Sequence, residues 1–169
     1  MIDVTSLYER YAPDVRRFAL YLCGDPVMAD EITSDTFVRA WLAREKIREL
    51  TVKSYLYAIA RNAYVDLHRR AARHTEMDER MPDAHISAQT HMEQRAEVDA
   101  VLAALQELPE IDRTVLLMRA FDEMPYEEIA VALDIPVTTA KVKVHRARAK
   151  LMQARQPLQA TIPVAGGKT

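Results

Sequence analysis

Glycine is scarce in this chain: three in 169 residues, beside a single Trp and an abundance of Ala, Leu, Glu and Arg. Local propensity therefore favours helix nearly everywhere outside the eight prolines, and the expected fold class is all-α. Cysteine is scarcer still. Cys23 stands alone, which excludes an intrachain disulfide and fits a reducing cytoplasm, with a buried thiol expected rather than a catalytic one. His68, His74, His85, His91 and His145 are scattered without a Cys or carboxylate at ligand spacing, so neither a metal nor another cofactor is expected. No apolar run approaches the roughly 20 residues needed to span a bilayer. The N-terminus "MIDVTSLYERYAPDVRRF" lacks the basic start and apolar core of a signal peptide, and the expectation is a soluble, cytoplasmic protein. A large positive charge is also missing. The formal net charge of -2 and pI near 6.2 exclude indiscriminate coating of nucleic acid, so any such contact must be local or assisted by a partner.

What is present is 49% hydrophobic and 28% charged residues, enough for one medium domain or two small ones with real cores. From Leu7 to Arg73 the pattern reads as successive amphipathic helices, with breaks near Asp25-Pro26 and in "AREKIRELT". After His74 the stretch "HTEMDERMPDAHISAQTHMEQ" is polar, contains Pro82 and sustains no apolar stripe, as a flexible linker would. Helical periodicity resumes with Val98, Val101, Leu102 and Leu105. Leu108-Pro109 ends that helix and starts another whose buried stripe is Ile111, Val115, Leu116 and Met118. Pro125, followed by Glu127 and Glu128, opens a third. The tail from Pro157 is expected to fray. The domain organisation is thus 1–73, a linker over 74–96, a second module over 97–156 and a tail over 157–169.

Charge of one sign then concentrates in "DIPVTTAKVKVHRARAKL", where Lys141, Lys143, Arg146, Arg148 and Lys150 gather without one acid. Two short helices joined by a tight turn, the second bearing cations, fit a helix-turn-helix whose second helix enters the major groove of DNA. Its core would be Ile129, Ala130, Leu133, Ile135, Val137, Val144 and Leu151. That leaves Thr138, Thr139, Lys141, Lys143, His145, Arg146 and Arg148 for DNA. A solvated helix normally intersperses charges of both signs, which this one does not. Five cations on phosphates predict a salt slope of about -4 to -5, enough to position the protein but not to select a sequence.

Two stretches of the front half carry chemistry of their own. In "SYLYAIARNAYVDLHRRAAR", Asn62, Asp66, Arg69 and Arg73 follow helical steps into one polar stripe, beside an apolar one of Leu56, Ile59, Ala63 and Leu67. With Tyr55, Tyr57 and Tyr64 nearby, this pairing of cations and rings suits single-stranded nucleic acid. Tyrosines at helical spacing are also ordinary core residues. "ADEITSDTFVRAW" presents Asp30, Glu31 and Asp35 near Phe37 and Trp41, either as a dock for a basic partner or as a capped surface helix with its rings in the core.

Taken in order, the three stretches resemble a group 4, or extracytoplasmic-function, sigma factor of the sigma-70 family. "ADEITSDTFVRAW" is similar to the polymerase-binding helix, "SYLYAIARNAYVDLHRR" to the region that opens and reads the -10 element, and "LQELPEIDRTVLLMRAFDEMPYEEIAVALDIPVTTAKVKVHRARAKL" to the region 4 domain that reads the -35 element. The resemblance implies two helical domains, no enzymatic activity, and binding to core RNA polymerase at the β′ coiled coil and β flap. It also implies promoter DNA and an anti-sigma factor as partners. Asp30, Glu31, Asp35 and Phe37 fall on polymerase-contact positions, Asn62 where an extruded -10 base is captured, Arg69 and Arg70 on the duplex-contacting end, and residues 43–51 on the specificity loop.

Departures from the family pattern are local. Tyr55 replaces a usual Trp, Glu123-Met124-Pro125 stands where Gly-Leu-Ser is common, Thr138 replaces a frequent Gly, and Val142 occupies a position often Ser. The last exchange removes a hydrogen bond to phosphate or base. The linker would span about 25–30 Å as a coil and at most roughly 80 Å extended. Promoter elements two duplex turns apart are roughly 70 Å from one another, so it must be extended when both modules bind. In the free chain the modules are expected to collapse together and hide their DNA surfaces. The alternatives are a conventional helix-turn-helix repressor or activator, and a helical adaptor without a DNA role.

Overall fold

Four of the described helices start beside an Asp or a Pro that the sequence supplies. The computed structural model describes residues 3–48, 52–75 and 92–160, all of them in helices and their connections. In chain order the elements are α1 (Val4–Cys23), α2 (Pro26–Leu42), a 3-10 turn (Arg44–Lys46), α3 (Val52–Thr75), α4 (Met92–Gln106), α5 (Glu110–Asp122), α6 (Tyr126–Leu133) and α7 (Val137–Ala160). Asp3 and Asp25 cap α1 and α2 by accepting from the backbone N–H of Thr5 (3.2 Å) and Val27 (3.0 Å). Pro26, at the first position of α2, has no N–H to leave unpaired. Pro109 and Pro125 precede α5 and α6, whose first turns carry Glu110, Asp112, Glu127 and Glu128 where the helix dipole favours carboxylates. None of the described helices is long and apolar enough to cross a membrane.

Two boundaries differ from the sequence expectation. α4 already begins at Met92, inside the stretch read as linker, because polarity there interrupts an apolar stripe without preventing helix formation. α7 continues through Pro157 to Ala160 rather than fraying at that proline. Pro13 is likewise accommodated inside α1. Residues 76–91, most of the expected linker, and 161–169 of the tail lie outside the described residues, as do 49–51 of the expected specificity loop.

The front half packs α1, α2 and α3 around Val15, Phe18, Leu22, Ile32, Leu56 and Ala60, all fully enclosed. Phe18 and Tyr57 stack face to face with ring centroids 4.3 Å apart. Thr33 and Thr36 are buried on α2 because their hydroxyls donate back to the carbonyls of Ala29 (2.7 Å) and Ile32 (2.6 Å). In the rear half α5, α6 and α7 enclose Val115, Met118, Ile129, Ala140, Val144 and Ala147. Small Ala140 and Ala147 bring α7 close to its neighbours. Burial pushes the Cys23 thiol up to about 11, which keeps it protonated and inert.

The two halves share one continuous core and close on each other through polar contacts that the sequence did not announce. Arg61 on α3 grips Glu110 on α5 with two hydrogen bonds, 2.6 and 2.7 Å. Lys53 lies between Asp14 (3.1 Å) and Asp122 (2.5 Å), and the Tyr57 hydroxyl donates to Asp122 at 2.8 Å. Burial, reinforced by that carboxylate, raises the Tyr57 phenol well above its ordinary range, so it remains a donor at any physiological pH. Phe121 packs edge-on against Tyr21 (5.1 Å) under the Arg17 guanidinium (4.4 Å).

The most enclosed charge among these contacts is Arg113, only 4% exposed. Its Nη1 donates to the carbonyl of Leu22 and to Gln106 Oε1 (2.7 Å), and its Nη2 to the carbonyl of Leu108 (3.4 Å). Leu22 belongs to the last turn of α1, whose carbonyls have no partner within the helix and carry the negative end of its dipole. Gln106 also donates to the carbonyls of Tyr21 and Leu22. Gly24 makes room for this approach. It caps α1 at φ 74°, its N–H returning to Leu20 at 2.8 Å, and a Cβ there would meet Gln106 at 3.2 Å.

Arg113→Ala removes these bonds and is expected to destabilise the chain by about 2–4 kcal/mol in urea titration. The free chain should also expand in small-angle scattering. An Arg113→Ala chain as stable and as compact as the parent would show that the closure does not depend on this side chain.

Candidate nucleic-acid interface

The turn between α6 and α7 sets the direction of the cationic helix. Asp134 adopts the left-handed conformation (φ 54°), which Asp tolerates better than most residues, and the N–H of Ile135 returns to the carbonyl of Ala130 at 3.0 Å. Ala140 is fully buried and closes the first turn of α7, its N–H bonded to the carbonyl of Pro136 at 3.1 Å. The expected core residues of this unit lie inward: Ile129, Ala130 and Val144 are buried, and Leu133, Ile135, Val137 and Leu151 are half-buried.

At about 100° per residue, the buried positions Ala140, Val144 and Ala147 with Leu151 define one side of α7. Thr138, Val142, His145 and Arg146 form the side opposite, and all four are exposed. Lys141 and Arg148 flank this ridge on one edge. Thr139 and Lys143, both half-buried, flank it on the other. Val142 sits at the centre of the outward face with 53% of its surface exposed.

Lys143 is not available in the way its neighbours are. Its Nζ lies 3.1 Å from Oδ1 of Asp112, a carboxylate in the first turn of α5 that is 1% exposed. Asp112 Oδ2 has no hydrogen-bond partner, and the Arg146 guanidinium stands 4.0 Å from it. Asp112 therefore ties Lys143 to the module's own interior while drawing Arg146 toward the same edge. Four cations of the cluster, Lys141, Arg146, Arg148 and Lys150, remain exposed. The sequence placed Lys143 among the DNA-facing groups because a linear pattern does not show a carboxylate arriving from another helix.

On α3 the steps predicted from the sequence hold. Tyr55, Asn62, Asp66, Arg69 and Arg73 share one side, with Arg70 at its edge. Asn62, Arg69, Arg70 and Arg73 are exposed, and Tyr55 is half-buried. Tyr57, Arg61 and Tyr64 lie on a different side of the helix, which faces the rear half, so these two tyrosines are core and contact residues rather than stacking platforms. Closure of the two halves thus leaves both cationic faces on the surface, contrary to the expectation that they would be hidden. The halves meet through other sides of α1, α3 and α5.

Asp66 is held by Arg39 of α2 at 2.8 Å, and the same guanidinium nitrogen reaches Asp35 at 3.1 Å. The Arg39 hydrogen bond lowers the Asp66 carboxyl below its usual range, so it stays ionised and paired. Its place in the stripe is that of an anchor for Arg39, which links the acidic surface of α2 to the polar stripe of α3. Asp30 pairs with Arg16 at 2.7 Å and Glu31 is exposed. Phe37 departs from the expected docking set. It is 5% exposed and packs edge-on against Tyr8 at 4.9 Å, because its helical position turns it to the α1 side. The exposed apolar groups of this surface are Val38, Trp41 and Leu42, with Arg44 lying 4.2 Å over the Trp41 ring.

Known proteins resemble the chain over nearly its whole length. Residues 7–74 match the family described as Sigma-70 region 2, and residues 99–151 that described as Sigma-70, region 4. An extracytoplasmic-function sigma factor of Mycobacterium tuberculosis, SigL, is 30% identical over 161 residues, covering 92% of this chain and 90% of its own. SigM of Bacillus subtilis, of the same kind, is 28% identical over 152 residues, covering 89% and 93%. Among solved structures, the sigma factor RpoE in complex with the anti-sigma factor NepR from Bartonella quintana superposes with a TM-score of 0.76 at 20% identity, covering 90% of this chain and 96% of that one. CnrH, in complex with the cytosolic domain of CnrY, gives 0.67 at 23% identity, covering 94% and 88%.

The ion pair at Asp112 separates two kinds of cation on α7. Lys143→Ala strands a buried carboxylate and should cost about 1–3 kcal/mol of stability, whereas Lys141→Ala, at an exposed site, should change it by under about 0.5 kcal/mol. Chemical denaturation of the two variants measures the difference, and equal values would remove Asp112 as its cause.

Proposed function

Because the chain belongs to the extracytoplasmic-function sigma factors of the sigma-70 family, and so directs RNA polymerase to promoters, we propose a division of that task among its surfaces. The outward face of α7 reads the -35 element as intact duplex. The stripe of Asn62, Arg69, Arg70 and Arg73 on α3, with Tyr55 beside it, receives the -10 element as it unwinds. The acidic and apolar surface of α2, with Asp30, Glu31 and Asp35, meets the β′ coiled coil of the core enzyme, and the rear module meets the β flap. The domain limits of 1–73 and 97–156 expected from the sequence move with the helix ends to about 3–75 and 92–160. An anti-sigma factor is a further partner, in keeping with the complexes in which the structural neighbours were solved.

The observation that carries this reading is the position of α7. Its buried alanine stripe presses a helix without a single acid against α5 and α6, leaving a ridge of hydroxyl, apolar and guanidinium groups facing outward. Such a ridge suits the major groove, where the flanking cations meet phosphates and the centre meets base edges. The protein contributes no chemistry, since phosphodiester synthesis belongs to the polymerase, and it works where that enzyme does, in the cytoplasm. What it contributes is binding energy: stacking and pocket contacts at about 1–3 kcal/mol per base offset the few kcal/mol needed to extrude one.

The closed arrangement of the free chain bears on this task. The two faces are exposed, but the contacts through Arg61, Arg113 and Asp122 hold the modules side by side. Promoter elements roughly 70 Å apart require the modules to part on the polymerase. Access to each face is open, and it is their separation that the closed form withholds.

Core polymerase should retain the purified chain in a pull-down without DNA and initiate transcription with it from promoters selected out of a random library. A chain that binds duplex alone and ignores the core enzyme would instead be a conventional helix-turn-helix regulator. With Lys143 tied to Asp112, the contribution of α7 to the salt slope of -35 binding should be about -3.5, from four phosphate contacts rather than five. Titration of holoenzyme on the -35 duplex, with and without the Lys141→Ala and Arg146→Ala changes, measures it, and a contribution of zero would deny α7 a DNA role.

A further inference from the structure

We propose that Val142 reads the 5-methyl group of a thymine in the -35 duplex, an inference that rests on the assignment of α7 to that element. Val142 lies at the angular centre of the outward face, about half a turn from the Ala140, Val144 and Ala147 stripe, and is 53% exposed. An isolated surface valine needs no explanation by itself. Its surroundings here are specific. Thr138 precedes it and Arg146 follows it by four residues along the same ridge, and with Thr139, Lys143 and Val142 itself these side chains line a shallow depression on that face. The cations that would meet phosphate stand at the edges of the face, on Lys141 and Arg148 on one side and Arg146 on the other.

A helix docked by its edges inserts its centre deepest, so Val142 would stand closest to the base edges. The thymine C5-methyl is the apolar feature of the major-groove edges, and a side chain without a donor or acceptor gains nothing from the others. A β-branched side chain is also stiff at χ1, which fixes where its methyls lie and makes the contact position-dependent. A serine at this place could hydrogen-bond a phosphate or base. Valine gives up that bond and exchanges it for methyl recognition.

Deoxyuridine isolates the contact, because it removes the methyl and leaves base pairing unchanged. Holoenzyme containing the full chain is titrated against -35 duplexes selected from a random library, each thymine on either strand replaced singly by deoxyuridine. The parent chain should lose about three- to tenfold in affinity at one position and little elsewhere. Val142→Ser should bind thymine and deoxyuridine equally at that position, with its helix content unchanged by circular dichroism. Indifference of the parent chain to every replacement, an absence of thymine from the selected sites, or a Val142→Ser chain as sensitive as the parent would each overturn the proposal. A Lys141→Ala, Arg146→Ala chain that binds the same duplexes as tightly as the parent would instead overturn the assignment of α7 on which it rests.

Discussion

A guanidinium enclosed without a carboxylate must find its partners among neutral oxygens, and Arg113 finds them at the open end of α1, at Leu108 and on Gln106. The last turn of any helix offers carbonyl oxygens with no intrahelical donor and the negative end of the peptide dipoles. Arg113 reaches the Leu22 carbonyl from α5, on the far side of the linker, and Gln106 of α4 reaches the same turn. Leaving that charge enclosed without those oxygens would be costly, since a buried ion needs partners wherever it goes. The position of α5 against α1 follows from this requirement, and with it the contacts that then become possible: Glu110 on Arg61, Asp122 on Tyr57 and Lys53, Phe121 on Tyr21.

This closure is polar at its periphery, which suits a contact proposed to open on the polymerase. Arg61 and Glu110 are each about a quarter exposed, so water can take over their hydrogen bonds as the modules separate. A polymerase that binds the modules at separate places can repay such a contact from its own binding energy, because a ligand shifts an equilibrium by its differential affinity for the two states. The same logic applies within each module. Arg39 ties α2 to α3 through Asp35 and Asp66, and Asp112 ties α5 to α7 through Lys143, so that each proposed partner surface is braced by an ion pair between helices.

Much of the fold was legible in the sequence, for a local reason. Asp25-Pro26, Leu108-Pro109 and Pro125 act on the residues beside them, and the helices begin there. The polar stripe of α3 was readable because helical steps place Asn62, Asp66, Arg69 and Arg73 together whatever packs behind them. The residues left Phe37 between dock and core and only the resemblance put it among polymerase contacts, because the sequence shows a ring beside acids but not which side α1 covers. Lys143 was counted with the DNA-facing cations because its partner, Asp112, lies on another helix. The buried Arg113 and Asp112 gave no signal, since both residue types usually face water.

Periodicity, capping residues and the acid-free composition of the last helix are written along the chain, and they alone determined an all-helical protein with a basic helix-turn-helix and a family resemblance at both ends. Which cations are free, which rings are core, and that the halves close without covering their basic faces were decided by tertiary structure. The physical reason is distance in sequence: Leu22 and Arg113, Tyr57 and Asp122, Asp112 and Lys143 meet only after the helices have packed, and no local pattern records a partner that far away.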